Sequence, residues 1–237
     1  MLRAIAAGLS ALLLTACDNM VVSQTPVVTA LAAVEEPRLK DGVWERLGPD
    51  ACPEDMKNAP VVLADCRFLV VGESLFGIYR TPAALEAGAA DGSSFEAFYI
   101  DAGPNLFGAQ IGVTSEGDTV YAFAVLARRG VDAEGRTTEI IFNLLACGPP
   151  SNSGRKNAWG MPVTTTETPF VGAVMVDENC RPDGVEGLRL LARENLSLDP
   201  MKARWVRSAT PGEIEAFEDE VRKSMRDEER SQSTIEE

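Results

Sequence analysis

A chain of 237 residues with 36 acidic against 22 basic side chains, a net charge of −14 and no histidine excludes several classes at the outset. The acidity argues against nucleic acid as a partner and against a polybasic hold on anionic lipid. Without histidine there is no Ser-His or Cys-His nucleophile pair and no imidazole metal ligand, so catalysis here requires carboxylates, lysine or tyrosine.

The chain opens on Arg3 and an apolar run from Ala4 to Leu14, the pattern of a secretory signal and too short to span a bilayer. The run ends in Leu14-Thr15-Ala16-Cys17, which resembles the lipobox of bacterial lipoproteins. That resemblance implies a signal peptide over residues 1–16 and lipidation of Cys17, which becomes the first residue of the mature chain. The diacylglyceryl group and amide-linked chain it implies hold permanently, where one acyl chain holds only marginally. Asp18 followed by Asn19 resembles the inner-membrane retention signal of enterobacterial lipoproteins. The implied address is the periplasmic face of the inner membrane, with the outer membrane as the alternative.

Four further cysteines, Cys52, Cys66, Cys147 and Cys180, form an even set in an exported chain and read as two disulfides. Of the three possible pairings the sequential one, Cys52–Cys66 and Cys147–Cys180, is preferred. No C-x-x-C pair suggests zinc, and neither a metal nor a cofactor is expected.

Residues 17–40 show no sustained period and read as a lipidated, flexible tether ahead of a domain over 41–210. Gly42-Val43-Trp44 opens a first strand. This Gly-x-Trp resembles the lipocalin signature, which implies a tryptophan plugging the base of a closed barrel. Arg67–Val71 and Leu75–Tyr79 read as strands, and Thr81-Pro82 starts a short helix. Phe95–Ile100, Leu106–Val113, Thr119–Ala127 and Thr137–Ala146 follow as an antiparallel meander. The third of these is apolar on both faces, which predicts a place in mid-sheet with cover on each side.

Gly148–Met161 is the longest loop, and Phe170–Val176 runs as a strand towards Cys180, so that a Cys147–Cys180 bond closes the base of the excursion. Asp183 is expected to cap a helix to about Asn195 that buries Val185, Leu188, Leu191 and Ala192, and Ala203–Ser208 is the last strand. Thr210-Pro211-Gly212-Glu213 is a capping box that opens an amphipathic helix over 211–227, with a disordered tail over 228–237. The fold class is α+β: an antiparallel β-sheet or partly closed, barrel-like meander with two or three helices.

No residue stands out as catalytic. Ser153-Gly154-Arg155-Lys156 has the S-x-x-K spacing of penicillin-binding proteins, but it sits among loop residues without the S-D-N or K-T-G companions. Gly72-Glu73-Ser74-Leu75-Phe76 misses the nucleophile elbow at its last position. The loop over 148–161 places Arg155, Lys156 and Trp159 on an otherwise acidic chain, and these residue types favour contact surfaces. The expectation is a non-catalytic binding or envelope-accessory module, anchored to the membrane by lipid, with a protein or envelope component as partner. The alternatives are a lipocalin-like carrier of an apolar small molecule and a histidine-free hydrolase using carboxylates or a Ser/Lys pair.

Overall fold

Alternating side chains and tight turns between Ser94 and Leu144 build the centre of the protein. The computed structural model describes residues 20–53, 66–77, 94–115, 117–151, 164–176, 179–198 and 200–219. Its strands are β1 (Val22–Ser23), β2 (Gly42–Leu47), β3 (Arg67–Val70), β4 (Ser94–Gly103), β5 (Leu106–Ser115), β6 (Asp118–Val131) and β7 (Thr137–Leu144). After them come β8 (Ala173–Val176), β9 (Asn179–Pro182), helix α1 (Gly184–Asn195) and β10 (Met201–Arg207). β4 to β7 pair in sequence as the expected antiparallel meander.

The main sheet has eight strands in the order β3-β2-β10-β7-β6-β5-β4, with β1 added on β6. It does not close: β3 and β4 lie at opposite ends. The barrel implied by Gly-x-Trp is therefore corrected, and Trp44 plugs nothing. It is fully buried, stacked on Phe68 at 6.1 Å, and packs with Leu39, Leu126 and Ile140. Phe76 packs on Phe95 and Phe142 on the same side. Cross-strand ion pairs of Glu45 with Arg67 at 3.6 Å and with Arg204 at 3.9 Å favour β2 between β3 and β10, because each opposite-charge pair is satisfied only in that order.

β6 sits between β5 and β7 and is covered on both faces, as its two-sided apolar pattern predicts. Phe123 and Val125 pack with Leu188, Leu191 and Ala192 of α1, whereas Ala124 and Leu126 face the opposite clusters. The helix buries Leu188, Leu191 and Ala192 of the expected stripe and leaves Val185 half-buried; the Asp183 carbonyl accepts the Gly187 N–H that starts the helix, but its side chain makes no cap bond. A Cβ on Gly187 would stand 2.5 Å from the Gly172 carbonyl oxygen, so glycine here is what lets the β8–β9 hairpin approach the helix.

Two further expectations change. Residues 20–40 are no free tether: Val21, Val28 and Leu39 are buried, and β1 pairs with β6. The valines that lack a period along the chain are apolar because they cover the β4–β6 face beside α1. Gln110 clamps this cover from inside the core, its Oε1 accepting the Val27 and Val28 N–H groups and its Nε2 donating to the Val28 carbonyl. Residues 75–77 are turn and 3-10 backbone rather than the start of a strand, since Ser74 Oγ takes the Phe76 N–H and bends the chain. The expected Thr81 helix lies outside the described residues.

The capping box at Thr210 forms reciprocally, with Thr210 N–H donating to Glu213 Oε2 and Glu213 N–H donating to Thr210 Oγ1. Residues 211–219 are helical, and Phe217 packs on Val43 and Leu69. The remainder of the expected amphipathic helix lies outside the described residues.

Candidate functional site

Two constellations rise from this scaffold: the base of the 148–170 excursion, and a strap over residues 34–41 that crosses the opposite side of the sheet.

The excursion leaves β7 through Leu145 and Ala146, whose backbone is gripped by Asn195 at the end of α1. Asn195 Oδ1 accepts the Ala146 N–H at 2.6 Å and its Nδ2 donates to the Ala146 carbonyl at 3.2 Å. Cys147 is bonded to Cys180, Pro150 bridges Thr164, and the Phe170 N–H donates to the Cys147 carbonyl at 2.8 Å. Cys52 is bonded to Cys66, so both disulfides follow the sequential pairing. Arg155, Lys156 and Trp159 lie outside the described residues, as does Cys17. What is described is their frame, and that frame is closed by a disulfide, a β-bridge and a buried amide.

The strap begins where the Val34 N–H donates to the Tyr99 carbonyl at 2.7 Å, covering the edge of β4. Glu36 accepts hydrogen bonds from Ser74 Oγ and from Tyr99 Oη. Arg38 holds Glu73 with two bonds at 2.6 and 2.9 Å, and Asp41 Oδ1 accepts the Glu73 N–H at 2.6 Å. Lys40 Nζ lies 4.0 Å above the Trp205 ring and 3.6 Å from Asp132. The Trp44 and Trp205 indole N–H groups donate to the Lys40 and Asp41 carbonyls. None of this was visible in the sequence, where residues 34–41 carry no period and their partners are far along the chain.

The strap is chemically a clasp. Arg38 and Lys40 meet carboxylates, Glu36 takes two hydroxyls and Asp41 a backbone N–H, and Ser74 beside Glu36 is 3% exposed. An open cleft of about 480 Å³ lies next to it, walled by Val34, Glu35, Asp101, Phe107 and the Gly103–Asn105 turn. Among the described residues, no three His, Cys, Asp or Glu side chains gather to hold a metal ion.

The clasp also tunes acidity. Burial pushes the Asp132 carboxyl up, but hydrogen bonds from the Arg136 N–H and guanidinium, with the charges of Arg136 and Lys40, outweigh it and hold the group at about 2. A carboxylate depressed in this way stabilises the fold above its ordinary value near 3.8, and that contribution is lost as pH falls from there through 2. An Asp132→Asn variant is therefore expected to melt below the parent at pH 6, with the gap shrinking towards pH 2. Paired thermal melts check this, and a gap independent of pH refutes it. Glu213 behaves alike: the Arg207 guanidinium and the Thr210 N–H hold it at about 2.

Comparison with protein-family models, with curated proteins and with solved structures finds no match.

Proposed function

We propose that this chain is a lipoprotein, anchored through Cys17 at the periplasmic face of the inner membrane, that binds a protein or envelope component without catalysis. The contact is made by Arg155, Lys156 and Trp159, basic and aromatic residues on an acidic chain. The observation that carries this reading is the frame of the excursion. Ala146, Cys147, Pro150, Thr164 and Phe170 are each tied by bridge, hydrogen bond or disulfide. A loop held on a rigid base loses less entropy on binding than one hung from mobile ends. Two further observations agree with it: both disulfides suit an oxidising compartment, and no described helix is long and apolar enough to cross a membrane.

Charge reversal at Arg155 and Lys156 tests the contact. In cells treated with an amine-independent photo-crosslinker, Arg155→Glu with Lys156→Glu should lose at least nine-tenths of the partner adduct while the melting temperature stays unchanged. An undiminished adduct refutes the loop. The anchor has its own test: Cys17→Ala should move the protein from the membrane pellet to the periplasmic extract.

A further inference from the structure

Beside the clasp lies the open cleft of about 480 Å³, a volume within the ~300–1,000 Å³ typical of small-molecule sites. One wall is the strap, which brings Val34 and Glu35. The other is the end of β4 with its turn into β5, which brings Asp101, Asn105 and Phe107. The register sets Asp101 opposite Phe107, so a carboxylate and an aromatic ring are cross-strand neighbours on one face. Both walls are fixed before anything binds. The Val34 N–H donates to the carbonyl of Tyr99, two residues before Asp101 on β4. Asp101 Oδ1 accepts the Gly103 N–H at 2.9 Å, and the Asn105 carbonyl takes the Arg128 N–H at 2.8 Å.

The charges around this cleft do not balance. Arg38 is spent on Glu73 with two bonds, Arg189 on Glu186 and the Asp101 carbonyl, and Arg193 on the Ala102 carbonyl. Among the described residues neither the Glu35 nor the Asp101 carboxylate forms an ion pair. Two carboxylates without a counter-charge, beside exposed Val34 and half-buried Phe107, call for an occupant that is cationic at its ends and apolar between them. A bare metal ion gains nothing from Val34 and Phe107, and an anion is repelled. An alkylammonium chain uses every wall: its charges meet the carboxylates, its methylenes cover the valine, and an ammonium is drawn to the aromatic ring. We infer that the cleft binds a small aliphatic diamine or polyamine, with Glu35 and Asp101 each taking an ammonium group and Phe107 lying along the chain between them. The site shares no residue with the contact proposed at Arg155, Lys156 and Trp159, and it stands whether or not that contact does.

Isothermal titration of the detergent-solubilised full chain with 1,4-diaminobutane at low ionic strength tests the site. Saturable binding is expected, and Glu35→Gln and Asp101→Asn should each weaken it about tenfold or more, the loss of one charge-assisted contact. Both variants should fold: Glu35 is exposed, and asparagine keeps an Oδ1 to accept the Gly103 N–H. Glu167→Gln removes an exposed carboxylate on another segment and should leave the affinity unchanged. n-Butylamine, with a single ammonium group, should bind about tenfold more weakly than the diamine. Equimolar magnesium should not displace the diamine. A parent chain without saturable binding overturns the inference. So does an affinity that either Glu35→Gln or Asp101→Asn retains, or that n-butylamine matches. Displacement by magnesium overturns it too, because the diamine is then only a counter-ion to an acidic surface.

Discussion

Replacing Cys147 and Cys180 together by alanine is expected to destabilise the domain by about 4 kcal/mol, the entropy of closing a 33-residue loop. Both sulfurs are fully buried within the cluster that joins α1 to β6, so the double substitution also removes packing. The effect is not spread evenly. Asn195 and the Pro150–Thr164 bridge still hold the near side of the excursion, whereas the β8–β9 hairpin keeps its contacts with α1 and β1 but loses its covalent tie. Urea titration of the parent and the double variant measures the stability loss, and hydrogen exchange should place the first added opening at 173–182. A midpoint within experimental error of the parent, with the hairpin equally protected, refutes the assignment of this bond as the main brace.

Gln110→Leu is expected to cost about 3 kcal/mol, although the new side chain is apolar and of similar size in an apolar cluster. The buried amide of Gln110 makes hydrogen bonds at 2.6, 2.8 and 3.0 Å to the backbone of Val27 and Val28. Leucine leaves the buried Val28 N–H and carbonyl and the half-buried Val27 N–H without that partner, at roughly 1–3 kcal/mol for each buried group left unsatisfied. The segment relieves part of this cost by detaching, which exposes Val21 and Val28 and uncovers the face they share with Phe123. The signature is faster hydrogen exchange over 20–34 while β4 to β7 keep their protection. Stability within about 0.5 kcal/mol of the parent sinks the clamp as described.

The meander from β4 to β7 was legible in advance because its information is local. Alternation selects the face, Gly117 and the Gly103–Asn105 turn reverse the chain, and each strand pairs with the next. The stripe of Leu188, Leu191 and Ala192 was legible for the same reason, as was the reciprocal box at Thr210. Gln110 was not: in a strand it reads as an ordinary polar alternate, and its partners are more than 80 residues away. Glu36, Arg38 and Lys40 are equally silent, since a charged residue in a stretch without period looks solvated until the fold brings Ser74, Glu73 and Asp132 to it.

The amino-acid sequence by itself determined the antiparallel class, the α1 stripe and an even set of four cysteines, whose preferred sequential pairing is the one found at Cys52–Cys66 and Cys147–Cys180. Each depends on spacing along the chain. Tertiary structure alone decided that β10 enters between β2 and β7, that the sheet stays open around Trp44, and that residues 20–41 are cover and clasp rather than tether. The physical reason is common to all three. Burial of Val21, Leu39 and Ala203 depends on apolar surface presented by Phe123, Leu126 and Ile140, roughly 60 to 100 positions away, and no local period along these short segments records a partner that distant.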